Sequence, residues 1–209
     1  MREYHKIETL FERDEKTKKF IIGKFRNPTI EYLKNNIWTF TEKVDGTNIR
    51  IYWDGHKVTY GGRTDKAQIP AHLVNRLNEL FGGETNAQMF EQKFGEEEVE
   101  IFGEGYGFKI QTNGYRDDVD FIIFDVMIAG NYQPRERVAN IAQYFGCDIV
   151  PIVLEGTLQE GIDYVLNNRE SIIAKNGAEL EGLVGRTKVE TFDRVGKRNI
   201  VKIKYRDFV

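Results

Sequence analysis

The sequence predicts an α+β protein, antiparallel strands with helices packed outside them. Three observations predict it. Segments with period-two hydrophobicity dominate the first half and are joined by short turn signals. Amphipathic segments recur that begin at Pro or a Thr-x-x-Glu box and stop at Gly. The length of 209 residues allows a proper buried core.

The elements follow in order. Residues 37–43 alternate Ile37, Thr39 and Thr41 against Trp38 and Phe40, as a half-buried strand does. After Asp45-Gly46, residues 48–53 place Ile49, Ile51 and Trp53 on one face and Asn48, Arg50 and Tyr52 on the other. Asp54-Gly55 reads as a two-residue hairpin turn, with 56–62 as the returning strand. Further strands are expected at 98–104, 120–127, 148–154, 181–187 and 199–205. A helix over 70–81 starts at Pro70, sets Leu73, Leu77, Leu80 and Phe81 on one face and ends at Gly82. A second, over 134–145, runs from Pro134 to a stop at Gly146 with Val138, Ile141 and Phe145 inward. Thr157 and Glu160 form a capping box for a third, reaching about Asn167.

No repeat, low-complexity stretch or Pro/Gly/Ser linker interrupts the chain, so residues 1–209 are expected to form a single domain. The longest apolar runs, such as 121–124 and 149–154, are strand-sized and too short to cross a bilayer, so no membrane association is expected. The N-terminal segment lacks a signal-peptide core, and the single cysteine, Cys147, excludes an internal disulfide; both point to a reducing cytoplasm. Cys147 itself reads as a packing residue.

The net charge of −3 gives no global positive field, but its distribution is uneven. Five basic residues and no acidic one lie between Lys197 and Arg206, a run suited to phosphate, whereas 96–100 holds four glutamates and reads as a solvated strand entrance.

Five segments could carry chemistry. In Glu42-Lys43-Val44-Asp45-Gly46-Thr47-Asn48 a lysine ends a strand, a turn follows, and polar residues enter the next strand. Phe102-Gly103-Glu104-Gly105-Tyr106-Gly107 sets one carboxylate among glycines that permit close approach, where it could bind a metal or a ribose hydroxyl. Phe121-Ile122-Ile123-Phe124-Asp125 is a buried strand with an aromatic that could stack on a base. Glu181-Gly182-Leu183-Val184-Gly185-Arg186 brings a second strand-borne carboxylate with a basic residue behind it. Ile200-Val201-Lys202-Ile203-Lys204 puts two lysines on one face, about 7 Å apart, a spacing that suits successive phosphates. Taken singly, each has a plain reading as a turn, a core strand or a polar sheet face.

In their order, EKVDGTN, FGEGYG, FIIFD, EGLVG and IVKIK resemble motifs I, III, IIIa, IV and V of the covalent nucleotidyltransferases, the superfamily of DNA ligases, RNA ligases and mRNA capping enzymes. Lys-x-Asp-Gly-x-Asn is similar to the RNA-ligase branch, especially the RNA ligase 2-like enzymes; DNA ligases usually carry arginine where Asn48 stands. The resemblance spans 42–204 and implies an ATP-grasp-like nucleotidyltransferase fold. It implies Lys43 as the nucleophile that takes AMP from ATP, with Asp45 orienting it or binding the acceptor end. It implies Glu104 and Glu181 toward Mg²⁺ or Mn²⁺, Glu104 also toward ribose, and Phe124, before Phe121, against adenine. Lys202 and Lys204 would hold phosphates, and Glu42, Asn48 and Arg63 complete the ATP set.

The sequence runs five residues past Lys204, so no C-terminal OB or accessory domain is expected, and Gly185-Arg186 stands where the family often has an apolar residue and a lysine. Sealing of 5′-phosphate and 3′-hydroxyl ends also implies a surface for nucleic acid. Arg50, Arg63, Lys197, Arg198 and Arg206 are the candidates. The competing readings are a DNA ligase without its OB domain, a capping guanylyltransferase, and a nucleotide or nucleic-acid binder without chemistry.

Overall fold

The computed structural model describes residues 1–111 and 114–209. The chain folds into two compact units, one of Met1–His5 with Asp45–Val150 and the other of Lys6–Val44 with Pro151–Val209. In chain order the elements are β1 (Glu8–Thr9), β2 (Phe11–Arg13), β3 (Phe20–Phe25), α1 (Pro28–Tyr32), β4 (Trp38–Glu42), β5 (Thr47–Trp53), β6 (Val58–Gly61), α2 (Ala71–Phe81), α3 (Gly83–Phe94), β7 (Val99–Gly107), β8 (Val119–Ile128), β9 (Asn131–Tyr132), α4 (Arg135–Tyr144), β10 (Asp148–Ile149), β11 (Ile152–Gly156), α5 (Leu158–Asn167), β12 (Gly182–Thr187) and β13 (Ile200–Lys204), before a short 3-10 turn (Tyr205–Asp207).

The 45–150 unit is built on a sheet ordered β10-β8-β7-β5-β6, with β9 paired to β8. Its long central pairs, β5 with β7 and β7 with β8, are antiparallel. One face carries Ile49, Ile51, Trp53, Ile101, Phe121, Ile123, Val126 and Ile128, which are buried with Leu73, Leu77, Leu80 and Phe81 of α2 and Val138 and Ile141 of α4. The period-two and period-3.6 patterns meet in that cluster, as expected. Helix α3 contributes Phe90 and Phe94 one turn apart; its weak apolar periodicity left no sequence signal. Cys147 packs against the same cluster, and burial pushes its thiol up to about 12, which leaves it inert.

The second unit has a sheet ordered β1-β13-β12-β4-β11 and a separate β2-β3 ribbon. Trp38, Phe40, Leu183, Val201 and Ile203 turn one sheet face toward Leu158, Ile162 and Val165 of α5. The predicted capping box of α5 is present in both directions.

Two expectations need correction. The strand expected over 148–154 is two strands: β10 pairs in parallel with β8, and β11 pairs antiparallel with β4. Pro151 lies between them and cannot donate to a ladder, which divides the run. The hairpin after β5 pairs Trp53 with Val58, so its loop is 54–57 and not two residues. There the Asp54 carboxylate accepts from the amides of His56 and Lys57 at 3.0 and 2.9 Å.

Candidate functional site

The residues singled out in the sequence fall into two patches, one on each unit. In the second unit, strand alternation turns Trp38 and Phe40 into the core and Thr39, Thr41 and Lys43 to the opposite face. The ladder continues past β4, since the Lys43 amide donates to the Gly182 carbonyl at 2.9 Å. Thr41 is in register with Val184 and Val184 with Lys202; Gly182 is in register with Lys204. Because Val201 and Ile203 are core, Lys202 and Lys204 share the Lys43 face, and Arg186, opposite Thr39, joins them.

Glu181 stands at the head of β12, and its carboxylate bridges two ammonium groups. Oε2 lies 2.5 Å from Lys43 Nζ, and Oε1 accepts from Lys204 Nζ. Burial alone would raise the Glu181 carboxyl, but the Lys43 charge and the Lys204 hydrogen bond outweigh it and hold it below the usual carboxylate range. The patch therefore pairs one ionised carboxylate with several cations and has a positive balance suited to phosphate.

Glu42 has a different task from the nucleotide contact expected of it. It points to the other side of β4 and is buried, and its carboxylate accepts from Ser171 Oγ and from the Ile172 amide at 2.9 Å. Burial pushes this carboxyl up, against those hydrogen bonds. Glu42 thus anchors the segment around residue 172 to the strand that carries Lys43.

In the 45–150 unit, Asn48 is in register with Glu104 and Glu104 with Ile122, on the sheet face away from the helices. Phe121 is buried in the helix-side core, which commits it to packing. Phe124 is half-buried outside that cluster, with the Tyr4 ring edge-on at 4.9 Å. Asn48 Oδ1 is buried and has no hydrogen-bond partner among the described residues. Such a carbonyl oxygen calls for a donor. An orphaned acceptor beside a carboxylate, on a sheet face with a half-exposed aromatic, fits a ribosyl base, whose hydroxyl and amino groups donate.

The turn after Lys43 is held by residues that no motif marks. The Asp45 amide donates to Tyr115 Oη at 3.0 Å, and Gln111 Nε2 donates to the Gly46 carbonyl at 3.2 Å. Gly46 is required by close approach: a Cβ there would stand 2.3 Å from the Gly105 carbonyl oxygen and 2.7 Å from Glu104 Cγ. Tyr115 and Gln111 lie in an irregular segment without periodicity, so nothing in the sequence points to them.

The expected nucleic-acid residues divide. Arg63, Lys197 and Arg206 are exposed. Arg50 is 0% exposed and its guanidinium is consumed internally, by the carbonyls of Gly62 and Arg2 at 2.6 and 3.0 Å and by Asp65 at 2.8 Å. Arg198 is likewise buried and paired with Glu190 at 2.8 Å. Neither presents a charge to a polyanion, because each answers a buried demand inside the fold.

Known proteins resemble this chain in sequence family and in fold. A family model described as RNA ligase matches residues 36–204. No curated protein matches the sequence. Among solved structures, a variant of Naegleria gruberi RNA ligase with AMP and Mn is similar at TM-score 0.64 and 18% identity, over 87% of this chain and 53% of that one. The Naegleria gruberi RNA ligase with PPi gives 0.62 and 22%, over 87% and 53%. A further variant with ATP and Mn gives 0.63 and 20%, over 95% and 59%. The chain thus spans a little over half the length of these ligases, and at such identities the likeness bears on the fold.

Proposed function

This chain belongs to the RNA ligase family, and from that premise we propose that it is an ATP-dependent polynucleotide ligase that works through AMP carried covalently on Lys43. The observation that carries the proposal is the Lys43–Glu181–Lys204 bridge, which holds a lysine amine beside a carboxylate on a cationic sheet face.

Attack on phosphorus needs the neutral amine. Glu181 fixes where Nζ sits, and because its own carboxyl is held below the usual range, it orients the amine better than it takes up a proton. Lys43 Nζ, after losing its ammonium proton to solvent, forms a bond to the α-phosphorus of ATP as the bond to the bridging oxygen breaks and pyrophosphate leaves, and a second N–H proton passes to solvent to give the phosphoramidate. Lys202, Lys204 and Arg186 receive the phosphate charge, so positioning and charge neutralisation supply most of the rate. Asn48 Oδ1 and Glu104 accept from the ribosyl base, and Phe124 offers its ring to adenine. Bound Mg²⁺ or Mn²⁺, held by Glu104 or Glu181 together with the phosphates, would neutralise charge on the triphosphate. The AMP then passes to a 5′-phosphate, and a 3′-hydroxyl displaces it to seal the strand. RNA is the strand expected, with Asn48 in the motif I position of the RNA-ligase branch.

The test is incubation with magnesium and ATP labelled at the α-phosphate, followed by denaturation. Wild type is expected to retain label and Lys43→Ala to retain none while keeping its fold, since Lys204 still balances Glu181. Label that persists on Lys43→Ala would overturn the assignment. Nick sealing on RNA-containing and all-DNA duplexes then fixes the strand.

A further inference from the structure

We propose that the loop joining β12 to β13, residues 188–199, is a docking element for a polynucleotide strand, with Phe192 stacking on a base and Arg194 and Lys197 facing phosphates. The inference rests on the ligase reading for the chemistry at Lys43, but it can be tested apart from it.

The loop is a built structure. Asp193 Oδ1 accepts from the amides of Val195 and Lys197 at 2.9 and 2.8 Å, and the Asp193 amide donates to the Lys197 carbonyl at 2.8 Å. Gly196 turns the tip at a φ of 78°. At the base, Thr187 and Thr191 hydroxyls meet at 3.0 Å, Asn199 Nδ2 donates to Thr191 Oγ1 at 2.9 Å, and Phe192 bridges Arg198 in antiparallel fashion. Such bonding holds the tip in one shape.

What that shape presents is unusual for a solvated loop. Val189 is 80% exposed, Phe192 53% and Val195 79%. Single exposed apolar residues need no explanation, but three within seven positions of one tied loop do. Charge selects the partner. The loop has four basic and two acidic residues in a chain of net charge −3. Both acids are spent internally, Glu190 on Arg198 and Asp193 on backbone amides. Of the bases, Lys188 is paired with Glu155 at 2.6 Å and Lys197 lies 3.8 Å from Glu8, while Arg194 and Lys197 remain exposed on the same loop as the aromatic ring. A rigid aromatic flanked by cations is the combination that binds single strands: base stacking with phosphate contact. A purely apolar partner would leave the cations unused.

Position gives the footprint. Lys43 hydrogen-bonds at Gly182, the first residue of β12, and the loop leaves from Thr187, the last. Six strand residues span about 17 Å. At ~3.4 Å per phosphate of a base-stacked strand, that distance is about five nucleotides. The loop would thus grip a strand about five nucleotides from the end being joined.

The test measures binding of fluorescent RNA strands of graded length, and self-labelling with ATP, for wild type, Phe192→Ala and Arg194→Gln. Both substituted side chains are exposed, so the variants should fold. Phe192→Ala is expected to weaken strand binding about tenfold. Arg194→Gln is expected to lower the slope of log K against log salt by about 1. Both effects should vanish on strands shorter than about five nucleotides, and both variants should label as wild type does. Unchanged binding by both variants overturns the proposal, as does a variant that instead alters the association of the chain with a second copy. If wild type takes no label yet Phe192→Ala still weakens strand binding, the ligase reading fails and the docking loop stands.

Discussion

Glu181 is the residue on which the proposed chemistry of the second unit turns, and its environment makes a statement about pH. Its carboxyl is pulled below the usual range by two ammonium groups despite burial. A depressed folded value means that the folded chain binds fewer protons than the unfolded one over that window. The stabilisation is therefore complete above the unfolded value of 4.5 and is lost as pH falls from there through the folded value. Glu181→Gln cannot ionise. It should start from a lower stability at neutral pH, since Lys43 and Lys204 lose their counter-charge, and it should show a smaller drop on acidification. Denaturant midpoints between pH 7 and 3 for both proteins measure it. An acid-side drop equal in the two would remove the two-lysine bridge from the account. Glu42 has the opposite sign: its raised carboxyl lowers stability as pH climbs above the usual carboxylate range, so the two glutamates are separable in the same titration.

At the scale of elements, Phe40 of β4 shows how the strand carrying Lys43 is seated. Its ring is wholly buried between Gly161 of α5 and Gly185 of β12. A Cβ at Gly161 would stand 2.5 Å from the ring, and one at Gly185 would stand 2.7 Å from it. Gly161→Ala gains about 1 kcal/mol of helix propensity, but overpacking a closed core costs about 1–3 kcal/mol. The ring has no room to yield, so net destabilisation is expected, read as a lower urea midpoint at unchanged m-value. A more stable variant would mean that α5 can lift without consequence. These contacts also show what periodicity can and cannot reveal. The strands 38–42, 47–53, 99–107, 119–128, 182–187 and 200–204 and helices α2, α4 and α5 announce themselves, because each carries an apolar run or an apolar face of regular period. Helix α3 and the β1–β3 region do not, since their buried apolar residues are few and mark no regular face. The same rule governs the candidate site. Lys43, Asn48, Glu104, Glu181 and the paired lysines stand at strand positions with a recognisable order, whereas Tyr115 and Gln111 act from irregular chain. The burial of Arg50 and Arg198 depends on which side chains close over them, and charge alone does not carry that information.

At the scale of the whole molecule, the path of the chain matters: it enters the 45–150 unit twice, first with Met1–His5 and again from Asp45. Those first residues answer buried demands. The Arg2 carbonyl accepts from Arg50 at 3.0 Å, and Tyr4 Oη donates to the buried Asp125 at 2.7 Å while its ring lies 5.0 Å from Phe102. His5 Nδ1 is 3.2 Å from Tyr132 Oη. Removing residues 1–5 withdraws a partner from a buried guanidinium and from a buried carboxylate, each on the order of 1–3 kcal/mol. The loss should fall on the unit that holds those groups. The two tryptophans allow this to be read separately, because Trp53 is buried in the 45–150 unit and Trp38 in the other. In single-tryptophan proteins made with Trp38→Phe or Trp53→Phe, truncation is expected to lower the urea midpoint reported by Trp53, with Trp38 as the reference. A Trp53 midpoint that does not move would mean that the first five residues add no stability, and that water meets the needs of Arg50 and Asp125 as well as the chain does.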